Sequence, residues 1–424
     1  MLHSRLPQTP TSGVHPVGCS CGCPSPVSES PRSGSRAAKP RKKDANAAFL
    51  GKSTKDFVGR DGGQKERRAP SRYRLQRFAS GLAGNHRGLA VCGWKMMPDA
   101  SGVAVRGKPK EGGGYESAHL GHLAVCGSHL CPWCGPRVAD VRRGEVQHIL
   151  DWAAGKGLHP VMLTLTTANR LGDPLAPMVS AQKAALRSLK RDRRYKDRRK
   201  SIIGVVSAFE TTHGWTNGWH PHFHLLLLIK APTMGRALRL VAGLRAAWVS
   251  AAKAEGLHAG RAGFRADAGH NAADYMAKWD LSHEVAAGGA KKGKDKGRTP
   301  SQLLRRGYEG DKKASALWAE YERAMTGKSV LRFSPGLRKM AGVPDVSDKQ
   351  AASEEEGGER PEMEEAPQER LPLIDLIPGD LWEEAKANGL DRDDLRRAAK
   401  EDGRAGIRAY LADLREAAAF HPIE

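Results

Sequence analysis

Two stretches of the chain set polar and apolar side chains in a repeat of two residues or run continuously apolar. In Trp219-His220-Pro221-His222-Phe223-His224 every second position is a histidine, and residues 225–229 that follow are all Leu or Ile. This pattern predicts a strand with His222 and His224 projecting from one face. Val161-Met162-Leu163-Thr164-Leu165-Thr166 predicts a buried strand, rich in residues that favour extended backbone. Residues 201–209 predict a third, joined to the histidine strand by a Gly/Asn-rich turn at 214–218. Helical spacing, as in Val138, Val141, Val146, Ile149, Leu150 and Trp152, predicts a helix over 137–154, with others over 176–197, 234–254 and 312–326. Extended stretches at 264–266 and 330–333 and a helix starting near Gly269 complete the set. Strands joined by short turns and interrupted by helices predict an α+β fold with a central antiparallel β-sheet flanked by helices.

The same pattern divides the chain. Residues 1–85 are rich in Pro, Gly, Ser and Arg and are expected to be a disordered basic region, with the ordered part beginning near Leu89. A cysteine-rich element with a basic helix is expected over 88–155, a central domain over 156–345 and an acidic linker over 346–372. Over 373–424, Leu381, Trp382, Leu390, Leu395, Ile407, Tyr410, Leu411 and Leu414 recur at helical spacing and predict a small helical unit.

Charge narrows the class of partner. Lys and Arg number 69 against 47 Asp and Glu, a net +22, which directs the chain toward a polyanion. A ribosomal or chromatin protein would give the same number, so charge points to nucleic acid and not to chemistry. Residues 187–200 hold nine Lys or Arg against two Asp, and 291–298 form a second basic run. Arg137, Arg142, Arg143, Arg187, Arg191, Arg193, Arg194, Lys291 and Lys292 are the candidate phosphate contacts. The longest run of large apolar residues, 225–229, is too short to span a bilayer, and no secretory leader pattern opens the sequence, so a cytoplasmic protein is expected.

Two groups of residues carry candidate chemistry. Two imidazoles on one strand face can share a divalent metal, and Glu210, at the end of the preceding strand, can lie beside His222 if the strands form a hairpin. Two nitrogens and one carboxylate suit Mn²⁺ better than Mg²⁺; His220 is a reserve ligand. Tyr275, with Lys278 on the same helix face, offers a phenol that could attack a phosphodiester. Each feature alone has a plainer explanation, since histidines pack on sheets and tyrosines in cores; their order along the chain raises the functional reading. Separately, Cys126, Cys131 and Cys134 are spaced for structural Zn²⁺, with Cys92 the first choice of fourth ligand and His122 and His129 competing. Cys19, Cys21 and Cys23 have an unusual spacing for a metal site.

Those residues resemble the motifs of replication initiators of rolling-circle plasmids within the HUH endonuclease superfamily, in particular the single-tyrosine initiators of Streptomyces-like plasmids. Leu163-Thr164-Leu165-Thr166-Thr167 is similar to the first motif, His220-Pro221-His222-Phe223-His224 to the metal-binding second, and Asp274-Tyr275-Met276-Ala277-Lys278 to the third. Leu317-Trp318, Tyr321 and Phe333-Ser334-Pro335-Gly336-Leu337 extend the likeness, which covers about residues 88–340. The resemblance implies an HUH fold with a zinc-ribbon-like element before it. It further implies catalytic Mn²⁺ or Mg²⁺ and structural Zn²⁺, double- and single-stranded origin DNA as substrate, and a host helicase and polymerase as partners. Tyr275 would be the nucleophile that joins the DNA 5′ end. Relatives of this kind can carry a glutamate shortly before the tyrosine; here Asn271 and Asp274 stand nearby instead, leaving the base for termination open. A conjugative relaxase or HUH transposase shares the chemistry, and a non-enzymatic zinc-containing DNA-binding regulator is the alternative of another class.

Overall fold

A computed structural model describes residues 70–84, 86–269, 297–353 and 371–420, all within the unit Glu66–Glu424. In chain order it contains α1 (Arg72–Leu82), α2 (Arg87–Val91), β1 (Gly102–Arg106), β2 (His119–Gly121), α3 (Cys134–Gly155), β3 (His159–Thr166), α4 (Leu175–Arg191) and α5 (Arg193–Arg198). Then follow β4 (Ile202–Gly214), β5 (Gly218–Ile229), α6 (Met234–Ala242), α7 (Arg245–Ala254), β6 (Phe264–Ala268), α8 (Pro300–Tyr308), α9 (Lys312–Met325), β7 (Leu331–Phe333) and α10 (Leu337–Ala341). The last elements are α11 (Asp348–Ser353), β8 (Leu373–Pro378), α12 (Gly379–Ala387) and α13 (Arg392–Phe420), the last kinked at Gly403. The fold is α+β, as the periodicity predicts.

Five antiparallel strands form the main sheet in the order β6-β3-β5-β4-β7, so the histidine strand is the central one. Its apolar run explains the position: a central strand covered on both faces needs apolar residues at consecutive positions. Odd-numbered Phe223, Leu225, Leu227 and Ile229 enter the core shared with Leu175, Leu186 and Leu189 of α4 and Trp248 of α7. Even-numbered Leu226 and Leu228 pack with Met162, Val206 and Ala208 beneath Val146, Ile149 and Leu150 of α3 and Leu337 of α10. Toward the hairpin tip that even face turns polar, and there the candidate ligands stand.

The β4–β5 hairpin is longer than the turn composition suggested, pairing from Ile202↔Ile229 to Gly214↔Gly218. Gly218 closes it at φ 72°, and a Cβ there would lie 2.7 Å from the Arg170 carbonyl oxygen, so glycine is required twice over. The helix expected over 176–197 breaks at Asp192, which leaves the helical region and accepts a hydrogen bond from the Arg194 amide as the cap of α5. That over 234–254 breaks at 243–244, between α6 and α7.

Two expectations at the chain ends are corrected. Order begins before Leu89: α1 buries Tyr73, Leu75, Gln76 and Ala79, inside the stretch expected to be disordered. The C-terminal segment is not purely helical. β8 pairs antiparallel with β1 in a second sheet, β2-β1-β8, so this segment completes a sheet begun some 270 residues earlier. Arg392, 1 % exposed, binds it further to the cysteine-rich part: its guanidinium donates to the Gly93 and Tyr73 carbonyls and Gln76 Oε1, and lies 4.1 Å from the Trp94 ring centroid. The acidic linker expected over 346–372 opens with α11, and residues 354–370 lie outside the described residues. No helix among the described residues is long and apolar enough to cross a membrane.

Candidate functional site

Register alone brings three ligands together. β4 sets Glu210 opposite His222, and β3 sets Thr164 opposite His224 on the other side of β5. The two Nε2 atoms are 3.1 Å apart, and Glu210 Oε2 lies 3.3 Å from His222 Nε2 and 3.2 Å from His224 Nε2. His222 Nδ1 faces the His220 carbonyl oxygen at 3.1 Å; a carbonyl only accepts, so Nδ1 carries a proton and Nε2 is directed into the cluster. His224 Nδ1 is held at 3.1 Å by the Thr164 hydroxyl, which orients the second ring in the same way. Two ring nitrogens and one carboxylate oxygen thus converge on a single point, where one cation could accept all three.

The triangle also has the right size for one. Three donors about 2.1 Å from an ion and at right angles to each other lie about 3.0 Å apart, close to the distances here. Burial works against a charged Glu210, but the hydrogen bonds with His222 and His224 outweigh it and hold the carboxyl below the usual range. His220 does not join: its Nδ1 faces Asn169 Oδ1 at 3.0 Å, and it is not one of the three converging residues.

The second cluster is all cysteine. Cys92 at the end of α2, Cys126 and Cys131 in the loop between β2 and α3, and Cys134 at the start of α3 place their sulfurs within 4.8 Å of one another. Cys92–Cys134, Cys131–Cys92 and Cys126–Cys134 separate by 3.4, 3.6 and 3.7 Å. A tetrahedron of sulfurs about 2.3 Å from Zn²⁺ has edges of about 3.8 Å, so the thiols fit that ion and leave no open position for water. Burial holds the Cys131 thiol above its ordinary range, while hydrogen bonds from the other three thiols hold Cys134 below it. Neither competing histidine is one of the four converging residues. His122 bonds to the Gly102 carbonyl, and His129 is buried, with its pKa pushed down to about 4 by that burial. Cys131→Ala is therefore expected to lose a stoichiometric zinc in elemental analysis and to melt well below the parent protein, because such metal binding is part of the folding free energy. Equal melting temperatures with and without chelator would remove the structural role.

The candidate phosphate contacts separate into two sets. Arg142 is corrected: it is 5 % exposed, and its guanidinium is taken up by Glu145, Asp348 and the Val346 carbonyl. Arg137 lies 4.1 Å over the Trp133 ring and donates to the Ala352 carbonyl, and Arg143 pairs with Asp140. Arg187, Arg191, Arg193 and Arg194 are exposed along α4 and α5. Asn271, Asp274, Tyr275, Lys278, Lys291, Lys292 and the Cys19, Cys21 and Cys23 group lie outside the described residues. Sequence reasoning missed the Thr164 hydroxyl and Gln182, whose amide donates to Thr167 Oγ1 at 2.8 Å and to the Pro221 carbonyl at 2.7 Å. The signal for Thr164 was present in the first motif; that for Gln182, distant in sequence, was not.

Comparison with known proteins points the same way. A family model described as "Replication protein" matches residues 118–237, a span that contains both the cysteine triplet and the histidine strand. "Protein rep" of Streptomyces lividans is 26% identical over 76% of this chain and 85% of its own length. The "Protein rep" chains of Lentilactobacillus hilgardii and Bacillus amyloliquefaciens are each 32% identical, over 25% and 26% of this chain and 33% and 32% of theirs. No solved structure matches. These similarities support a plasmid replication initiator, the family that the motifs resemble.

Proposed function

We propose that the chain initiates rolling-circle replication by nicking one strand at a plasmid origin, with Glu210, His222 and His224 holding Mn²⁺ or Mg²⁺ and Tyr275 as nucleophile. The observation that carries this is the convergence of two imidazole Nε2 atoms and a carboxylate oxygen at 3.1–3.3 Å on the central strand. Histidines that merely pack have no reason to converge with a carboxylate on one point, and this disfavours a non-enzymatic regulator. A bound divalent ion would polarise the scissile phosphoryl group. The Tyr275 phenol loses its proton and its oxygen bonds to phosphorus. The bond from phosphorus to the 3′ oxygen then breaks, and that oxygen takes a proton to become a 3′-hydroxyl. Lys278 would favour the phenolate and offset charge on the phosphate. The new 3′ end is a primer for a host polymerase, and the phosphotyrosyl bond conserves the energy needed for later rejoining. A host helicase would open the strands ahead of it, in the cytoplasm.

β6 ends with Ala268 opposite Val161, three register steps along β3 from Thr164, and the sequence that bears Tyr275 follows it in the chain. Exposed Arg187, Arg191, Arg193 and Arg194 would neutralise phosphates without reading bases. The test is incubation with a supercoiled plasmid carrying its own origin. Open circles are expected with Mn²⁺ or Mg²⁺ and none without; closed circles under every condition would overturn the reading. A relaxase or transposase would instead prefer a transfer origin or a transposon end.

A further inference from the structure

The tip of the β4–β5 hairpin carries Trp215, which has no part in either metal cluster. Its ring is half-buried, and three cations stand around it. The Arg298 guanidinium and the Lys313 ammonium each lie 4.7 Å from the ring centroid, and the Arg306 guanidinium lies 5.9 Å away. Arg298 is fixed by two main-chain hydrogen bonds of 2.8 Å with His213, while Arg306 and Lys313 come from α8 and α9. One carboxylate offsets the group: Asp311 accepts from Arg306 Nε and Nη2 at 3.0 and 2.9 Å. Among the described residues neither Arg298 nor Lys313 has an ion-pair partner. Burial and the nearby Arg306 both pull the Arg298 pKa down, the mark of a cation crowded by its like.

Three cations gathered about one aromatic ring repel one another in the protein alone, and one carboxylate offsets only part of that. A ligand that brings both negative charge and flat rings relieves it, and unpaired nucleotides have that chemistry. We infer that Trp215, Arg298, Arg306 and Lys313 form a subsite for single-stranded DNA, in which a base stacks on the indole and flanking phosphates meet the cations. The identity of the polymer rests on the DNA-nicking reading; the stacking needs no catalytic metal. Duplex DNA keeps its base faces stacked inside and cannot use the ring. His213 and Trp219 are paired in register and belong to the odd-numbered face, away from Glu210 and His222. The subsite therefore borders the hairpin tip, three register steps or about 10 Å beyond Glu210, where a strand leaving the metal centre would cross the tip.

The test uses the full chain with Tyr275→Phe, so that no DNA is cut, and a fluorescent oligothymidylate read by anisotropy, with a duplex of equal length as control. Trp215→Ala is expected to weaken single-strand binding about tenfold with duplex binding unchanged, and Trp215→Phe, which keeps an aromatic face, to regain most of the loss. Lys313→Gln is expected to flatten the salt dependence of single-strand binding by about 0.7 in log–log slope, one phosphate contact. Unchanged single-strand affinity in Trp215→Ala, or an equal loss for duplex, would overturn the inference. Should Trp215→Ala lose its cooperative melting, Lys313→Gln decides: a parental salt slope for single-strand binding in that variant would overturn it. Nicking is measured separately on the parent protein. A stacking effect in a chain that does not nick leaves the subsite standing and removes the nicking reading, and the reverse outcome does the opposite.

Discussion

Replacing His222 and His224 together with alanine is expected to abolish metal-dependent nicking, by at least about 10³-fold, while binding of origin DNA survives. The magnitude follows from the chemistry assigned to the ion: polarising the phosphoryl group supplies several kcal/mol, and each ~1.4 kcal/mol is a factor of ten in rate. Survival of binding follows from position, because the exposed arginines of α4 and α5 lie outside the ligand trio. Folding should survive as well. The apolar part of the same sheet face, Leu226, Leu228, Val206 and Ala208, packs under α3 and α10 independently of the two imidazoles. Losing the two imidazoles leaves the Glu210 carboxylate without its hydrogen-bond partners, so the melting temperature is expected to fall modestly while the transition stays cooperative. Glu210→Gln is the finer probe. It keeps the shape and removes the charge, so nicking should fall and be partly regained at raised Mn²⁺ concentration. A double histidine variant that nicks at the parental rate would sink the assignment.

That centre was legible because a β-hairpin turns sequence spacing into geometry. Once β4 and β5 pair, a period of two puts His222 and His224 on one face and sets Glu210 opposite His222. The Thr164 contribution needed the β3–β5 register, which no local pattern gives. Long-range partners explain the remaining differences. Leu373–Pro378 is a short apolar run that becomes a strand because β1 offers it an edge. Arg142 looked like a surface cation on a basic helix, yet Glu145 three residues on and Asp348 far along the chain draw it inside. The Trp215 cluster takes its cations from three separate places in the sequence, so no motif could have announced it. The cysteine cluster was legible in three of its members by spacing, and in Cys92 by its being the one cysteine left in the stretch expected to be ordered.

Tyr275→Phe is expected to leave the binding of origin DNA and of metal unchanged and to form no covalent adduct at all, because in the proposed reaction the phenol oxygen is the atom that bonds to phosphorus. The described tyrosines sharpen the expectation. Tyr321 comes nearest to competing, since it feels the Glu210 charge, but it is buried and stacked with Trp219, whose position on β5 faces away from the ligands. Burial, and after it that charge, push its pKa well above the ordinary tyrosine range, which leaves almost no phenolate at neutral pH. Tyr73, Tyr195 and Tyr410 have their pKa values raised by burial as well. Tyr321→Phe should therefore nick like the parent, apart from any loss of packing. Lys278→Ala should slow cleavage more than it weakens binding, since on the helix that the sequence predicts a cation three residues on would act on the phenolate and not on remote phosphates. Mass spectrometry of a trapped complex decides the matter: a nucleotide on Tyr275 is expected, and one found on any other tyrosine would overturn the nucleophile while leaving the metal centre to stand on its own geometry.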